Sequence, residues 1–144
     1  MVTSRRTINA EQFFNVRLNG TTVLEPGEIV TEIRIPEPPE GTRSAFLKFA
    51  LRKAIDFPIV NCAASLAFDH EQVASARICL NAVHVVPRRV TGAEQMLQGR
   101  IIADGVAGEA AEAAVQDARP LENNAYMVQV ARTLVKRSIL GCGG

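Results

Sequence analysis

Three charged side chains, Lys48, Arg52 and Asp56, recur every four residues in a segment that otherwise alternates like a β-strand. Lys48 stands between Leu47 and Phe49, so its ammonium group must leave the strand over an edge or into a cleft. A cation there could bind an anionic ligand or steady a ring that becomes negatively charged on reduction. Arg52 falls on the same strand face, and Asp56 could fix its orientation. We interpret the three residues as part of a ligand site; the alternative is a local ion-pair set at a strand end.

The histidines and cysteines give a weaker signal for catalysis. His84 lies in an apolar stretch, where a lone histidine is usually a hydrogen-bonded core residue, and His70 lies in a polar turn, where we expect it to be solvated. Cys62, Cys79 and Cys142 are odd in number and suit reduced thiols better than disulfides. Cys62 and Cys79 are predicted on neighbouring strands, but two ligands do not make a tetrahedral metal site. We therefore assign no catalytic residue and no metal ligand.

Sequence fingerprints of self-sufficient sites are missing. The chain has no GxGxxG, GxxxxGK[ST], HExxH or CxxC, the motifs that mark many dinucleotide, phosphate and metal sites. A small self-contained enzyme based on cysteine or histidine is disfavoured, because no arrangement of a base and a nucleophile can be drawn. Any site in this chain is therefore expected to be half of a larger one.

Length and composition predict one folded domain, residues 1–144. The chain is 47% hydrophobic and 22% charged, which suffices for a core and leaves no disordered tract. Its net charge of +1 gives no electrostatic reason to expect a nucleic-acid or membrane partner. No apolar run follows residues 1–7, so we expect neither a secretory signal nor a transmembrane segment, and a cytoplasmic location.

Strand patterns come first along the chain and helical patterns follow. Four segments alternate or are rich in β-formers, each bounded by proline or a polar turn: 29–35, 44–52, 59–68 and 73–86. The last two should form an antiparallel hairpin. Three segments then have helical periodicity: 88–97, 104–118 and 124–140. The predicted fold class is α+β, with an antiparallel sheet of three to four strands covered on one face by about three helices.

Short motifs in a fixed order give the chain a family resemblance. They are Phe13-Phe14, LxPGE at 24–28, IxIPxP at 33–38, KxxxRxxxD at 48–56, Pro87-Arg88 and NAYxxQxAxxLxxR at 124–137. With them the chain resembles the C-terminal domain of the FAD-binding (medium) subunit of molybdenum hydroxylases, the family of carbon monoxide dehydrogenase and xanthine dehydrogenase. The last motif is more similar to the xanthine dehydrogenase type. Asn81-Ala82 departs from the pattern, since many relatives carry glycines there.

The resemblance implies that this domain forms a wall beside the isoalloxazine ring of FAD. Lys48 and the apolar Val30 would lie next to the ring, and the loop from Arg52 to Asp56 would lie near the electron-acceptor side. A cation near the ring favours its reduced, anionic form and raises its potential. In that family two preceding FAD-binding domains hold the adenine and pyrophosphate, and their glycine-rich segments are absent from this sequence. FAD is therefore expected in the complete subunit rather than on this chain alone.

The resemblance also implies the partners and the reaction. The enzyme would hydroxylate its substrate at molybdenum, with molybdopterin on a large subunit and [2Fe-2S] centres on a small subunit. Electrons would pass from the iron–sulfur centres through FAD to an acceptor, and this chain would serve only that last step. It would be part of an oxidoreductase rather than an enzyme by itself, and it could also be a homo-oligomer.

A subunit-docking or dimerisation module with no flavin role is the alternative function. In that case an exposed edge strand and the cations between Arg132 and Arg137 would meet a partner. The two functions predict different surroundings for Lys48. A flavin wall requires Lys48 to project from the sheet into an open concave surface, whereas a docking module allows it to be paired and covered.

Overall fold

The computed structural model describes residues 1–18, 20–53 and 55–144. In chain order, the elements are β1 (Val2–Thr3), α1 (Ala10–Phe13), β2 (Phe14–Arg17), β3 (Gly20–Thr22), β4 (Val30–Glu32), β5 (Thr42–Phe49), β6 (Val60–Asp69), β7 (Gln72–Asn81), β8 (Arg88–Arg89), α2 (Thr91–Leu97), α3 (Asp104–Val115) and α4 (Tyr126–Gly143). The three longest strands precede the three longest helices, as the sequence pattern predicts.

The centre of the fold is a four-stranded antiparallel sheet in the order β5-β6-β7-β8. One set of alternating side chains, including Cys62, Leu66 and Ile78, is fully buried. Helix α4 lies across β5 and β6, α2 packs on β7, and α3 packs on α2 and α4. The helices and the buried strand residues share one apolar core on one face of the sheet. The predicted α+β class and its helix-covered sheet are confirmed.

Strand β7 ends at Asn81 rather than at residue 86, because the next residue reverses the chain. Ala82 adopts the left-handed conformation, with φ of 67°. Residues 82–87 then form a surface loop, and β8 returns to pair with β7. His84 lies on this loop and is exposed, so the prediction of a core histidine is wrong. His70, by contrast, is exposed in its turn as expected.

The strand predicted at 29–35 is shorter and lies outside the main sheet. Only Val30–Glu32 is a strand, and it pairs with β1. Because β1 has only two residues, the rest of the predicted segment has no strand to pair with among the described residues. Ile33 and Ile35 are consequently exposed. The pairing of β1 with β4 was not predicted, and neither was the second small antiparallel pair, β2 with β3.

Glu28 binds the N-terminal segments to each other. Its side chain is buried, with the residue 5% exposed, and it accepts hydrogen bonds from the Thr3 hydroxyl at 2.6 Å and from Arg6 at 3.0 Å. The main-chain N–H of Glu25 donates to it at 2.9 Å. These donors, Arg6 foremost, lower the pKa of the Glu28 carboxyl to about 2. The carboxylate thus connects β1 to the turn that precedes β4.

The strand register separates the two strand cysteines. Cys62 is opposite Leu80, and Ala63 is opposite Cys79, so the two thiols point to opposite faces of the sheet. Cys62 and Cys142 are buried, and Cys79 is partly buried. Burial raises the pKa of the Cys62 thiol to about 11, which makes this thiol a poor nucleophile at neutral pH.

Replacing Ala82 with glycine should stabilise the protein. A residue with a Cβ is strained in the left-handed conformation, whereas glycine is not, so Ala82→Gly is expected to raise the free energy of unfolding by about 1 kcal/mol. Ala63→Gly, in the regular strand β6, is the matched control and should lower it by about 0.5–1 kcal/mol. Urea unfolding measures both, and no gain for Ala82→Gly over the wild type would contradict the strained turn.

The Glu28 group should make stability depend on pH in acid. A carboxyl whose pKa is depressed on folding stabilises the folded state above its unfolded pKa, near 4.5, and loses that contribution as the pH falls to about 2. The difference in Tm between the wild type and Glu28→Gln is therefore expected to be constant above pH 5 and to shrink towards pH 2. Carboxylates common to both proteins cancel in this comparison. A Tm difference that is independent of pH would refute the charge role.

Candidate functional site

Lys48 lies on the face of the four-stranded sheet that points away from α2, α3 and α4. Its register partner on β6 is Asn61, whereas Leu47 is opposite the buried Cys62. Because successive residues of a strand point to opposite faces, Lys48 shares the open face with Phe46, which is 63% exposed. Ala45 and Leu47, by contrast, pack against the core. The strand predicted at 44–52 ends at Phe49, so Arg52 lies in the connection that follows and not on the strand face.

The structure brings Lys48, Arg52 and Asp56 together. The Lys48 ammonium donates a hydrogen bond to the main-chain carbonyl of Asp56 at 3.0 Å. The Asp56 carboxylate accepts from the Arg52 main-chain N–H at 3.1 Å and from its guanidinium at 3.4 Å. The side chain of Asp56 is 16% exposed, and the bond from the Arg52 side chain holds the pKa of its carboxyl below the ordinary value. The ion pair therefore forms between Arg52 and Asp56, while Lys48 is held by a main-chain oxygen.

Apolar side chains next to this group are open to solvent. Leu51, Ile55 and Phe57, in the connection between β5 and β6, are almost wholly exposed. We call these three residues the apolar connection. Neighbouring exposed apolar side chains of this size are typical of contact regions with another protein, a membrane or a ligand. The cation Lys48 thus lies beside a surface that is suited to being covered.

The open face of the sheet also lines a cavity of about 590 Å³ beneath α1. Small side chains on β5 and β6, such as Ala63, form its floor, and Phe14 and Phe46 are among its apolar walls. Lys48 is not among the described residues that line this cavity. The cavity and the Lys48 group therefore share a sheet face through Phe46 but are separate features, and this cavity is not the open concave surface predicted around Lys48.

Arg89 forms a charged edge of this cavity and ties α1 to the sheet. Its guanidinium donates to Glu11 of α1 at 2.6 Å and binds the buried Glu94 of α2 through two nitrogens. Glu94 also accepts the main-chain N–H of Ile78 at 2.8 Å. Sequence analysis missed this group. The available signal was an acidic residue among the apolar positions of a short helix, which predicts a buried carboxylate with a cationic partner.

Val30, the other residue predicted beside the ring, does not join the Lys48 group. It lies on β4, in the small sheet with β1, and is 37% exposed. The structure therefore places the two predicted ring contacts on different sheets. Their roles toward a flavin stay predictions.

Two of the α4 cations that the docking alternative invokes are already paired within the chain. Arg132 binds the Glu112 carboxylate, and Lys136 lies 2.8 Å from Asp104. Both acidic partners are on α3, so these pairs join the two helices. Arg137 is exposed on the same helix. This arrangement leaves less free charge on α4 for a partner than its sequence predicts.

Residues 1–18, 20–53 and 55–144 contain neither a candidate membrane-spanning helix nor a candidate metal-binding cluster. No helix within them is both long and apolar enough to cross a membrane. The same residues contain no group of three or more His, Cys, Asp or Glu side chains placed to hold a metal ion.

Comparisons with known proteins agree with the motif resemblance. Residues 45–141 match the family model described as CO dehydrogenase flavoprotein C-terminal domain. The chain is 32% identical over 141 residues to the carbon monoxide dehydrogenase medium chain of Hydrogenophaga pseudoflava, across 94% of this chain and 47% of that protein. It is 26% identical over 125 residues to the xanthine dehydrogenase FAD-binding subunit of Escherichia coli O157:H7, across 83% of this chain and 43% of that protein.

A solved structure gives the same result for the fold. Carbon monoxide dehydrogenase from Hydrogenophaga pseudoflava, in a form lacking the Mo-pyranopterin moiety of its molybdenum cofactor, matches with a TM-score of 0.84 and 30% identity. The match covers 95% of this chain and 48% of that chain. The chain thus spans about half the length of the curated relatives it matches. The family model includes nearly all of the four-stranded sheet and its covering helices, and the chain belongs to the CO dehydrogenase flavoprotein C-terminal domain family.

Proposed function

We propose that this chain forms one wall of a flavin site in a molybdenum-dependent hydroxylase or dehydrogenase. The observation that carries the proposal is the Lys48 group, an exposed ammonium held on the open sheet face by the main chain of Asp56. Family membership adds that relatives of this chain are medium or FAD-binding subunits of dehydrogenases. The wall would serve the transfer of electrons that arrive from [2Fe-2S] centres to an external acceptor.

The residues present fit one edge of FAD and not the whole of it. Lys48 supplies a cation and Val30 an exposed apolar surface, which suit a ring with both polar edges and apolar faces. The sequence has no glycine-rich phosphate-binding motif, so adenine and pyrophosphate need the FAD-binding domains that the resemblance implies. We therefore infer that those domains are the direct partner of the open sheet face.

Each residue of the Lys48 group has a separate task in this proposal. FAD would supply two-electron chemistry and gain negative charge at its ring on reduction. Lys48 would place a positive charge near that edge, while the Asp56 carbonyl fixes the ammonium position. Arg52, oriented by the Asp56 carboxylate, would stand toward the acceptor side. Val30 would exclude water from a ring face.

The wider assembly follows from the same family. We propose that a molybdopterin-binding large subunit and an iron–sulfur small subunit complete the enzyme, in the cytoplasm. The apolar connection favours a role in docking, and this second function is compatible with the first when the covering partner is a flavin-binding domain. A dimerisation module without flavin is the competing candidate.

Whether a complex containing this chain retains FAD distinguishes the flavin wall from a dimerisation module without flavin. Co-expression of the chain with FAD-binding domains of the family, followed by affinity purification through this chain, should yield a complex with flavin absorbance. The chain purified alone should be colourless, because it has no site for the pyrophosphate. A colourless homodimer in both preparations would contradict the flavin role and favour the dimerisation module.

Lys48→Met in the flavin-containing complex should lower the flavin reduction potential. Loss of a positive charge near the ring removes attraction for its reduced form, and for a two-electron couple about 1.4 kcal/mol of lost attraction corresponds to about 30 mV. Spectroelectrochemical titration measures the shift, and stopped-flow reoxidation measures acceptor turnover. Lys53→Met, at an exposed position of the same connection, is the matched control. Equal potentials for the wild type and Lys48→Met would refute the assigned role.

A further inference from the structure

A second cleft, of about 300 Å³, lies on the helix side of the sheet. The loop after β7 forms one rim with His84, β8 contributes Arg88, and the connection between α3 and α4 contributes Asp117, Arg119 and Asn124. None of these five residues takes part in the proposed flavin wall. The volume lies at the lower end of the range typical of small-molecule sites.

The polar side chains at this rim offer mostly donors, because two of their acceptor atoms already accept hydrogen bonds within the chain. The Oδ1 of Asn124 accepts the main-chain N–H of Leu121 at 2.6 Å, which leaves its amide NH₂ as a donor. The Nδ1 of His84 accepts the N–H of Val86 at 3.3 Å, so the neutral ring carries its hydrogen on Nε2.

The two arginines add charge that is only partly balanced. Arg119 donates through one nitrogen to the Ala118 carbonyl at 3.1 Å and has further N–H groups. Arg88 lies 3.6 Å from the Asp117 carboxylate, farther than an ordinary hydrogen bond. Asp117 is the one carboxylate among the described lining residues, against two guanidinium groups. The rim therefore carries net positive charge and unused donors in one place.

The interior of the cleft is apolar. Leu80 and Ala131 are buried there, and Val115, Met127 and Val128 are among the other apolar residues of the wall. A ligand that satisfies both regions needs an anionic head for the rim and an apolar body for the interior. A carboxylate is the smallest such head that can form two parallel N–H···O bonds with an arginine, which suits a cleft of this volume.

We propose that this cleft is a binding site for a small carboxylic acid with an apolar body. The carboxylate takes the place of Asp117 as the partner of Arg88 and also meets Arg119, while the Asn124 amide and His84 Nε2 supply further donors. The apolar body packs on Met127 and Val115. This proposal is independent of the flavin wall, which uses the other face of the sheet.

Isothermal titration calorimetry of the full chain with 3-phenylpropionate, at fixed ionic strength, tests the site. The neutral 3-phenylpropanol is the matched probe, and it should bind about tenfold or more weakly because it cannot form charge-assisted bonds with arginine. The double variant Arg88→Gln/Arg119→Gln should lose about tenfold in affinity for the acid, whereas Asp117→Asn should gain, since it removes the internal competitor.

The control variant is Arg137→Gln, an exposed arginine on α4 that does not line this cleft. It should leave the affinity unchanged. Equal affinity for the acid and the alcohol would overturn the proposal, as would the absence of binding by a chain that circular dichroism shows to be folded. If Arg137→Gln lost as much affinity for the acid as the double variant, the acid would be attracted only by the net charge of the chain, and the proposed site would again be refuted.

Discussion

The register between β5 and β6 is the constraint on which the position of the candidate site depends. Leu47 opposite Cys62 and Lys48 opposite Asn61 send apolar side chains under α4 and the ammonium group to the open face. A slip of one residue would exchange the two faces. It would expose Leu47 and drive Lys48 into the core, where an unpaired charge costs several kcal/mol. Apolar burial beneath the helices therefore holds Lys48 in place.

The bonds within the Lys48 group have a different role from that of the core. Exposed ion pairs contribute less than about 1 kcal/mol each, so the Arg52 and Asp56 contacts add little to the stability of the domain. Their effect is geometric, because one residue binds both cations through different atoms. The Asp56 carboxylate holds Arg52, and its carbonyl holds the Lys48 ammonium. A flexible lysine thereby gains a preferred position at small energetic cost.

The parts of the fold that the sequence predicted are those with a long, regular pattern. Strands β5, β6 and β7 and the three longest helices each carry a pattern that can be recognised within the segment itself. Their packing is not local in sequence, since α4 lies on β5 and β6, but each element was predictable without it. The errors have local causes that a pattern does not contain. Ala82 takes a left-handed turn without glycine, which shortened β7 and exposed His84. The pairing of β1 with β4 joins short segments far apart in sequence, and the Glu28 group that supports it involves four separate residues.

The candidate site was predictable to the same extent. Lys48, Arg52 and Asp56 are close in sequence, but they meet because the chain turns after β5 ends at Phe49, which the strand pattern did not contain. Val30, the fourth predicted site residue, lies on a different sheet. The cleft beside Arg88 was not predictable, since its residues come from a loop, a short strand and a helix connection that meet only in the folded chain. The Arg89 group has the same origin, joining α1 to α2 across the sheet edge.

The Lys48 group and the neighbouring apolar connection combine two properties that constrain a partner at this end of the sheet. Covering Leu51, Ile55 and Phe57 would gain up to about 1.5–3 kcal/mol for each side chain, so a partner that buries them is favoured. The same partner would also take water away from Lys48, and an ammonium without a negative counterpart in a covered contact is costly. A second copy of this chain would bring another Lys48 to a two-fold contact at this face and add to that cost. A partner that brings negative charge beside an apolar surface meets both requirements, and a domain carrying an anionic ring is such a partner.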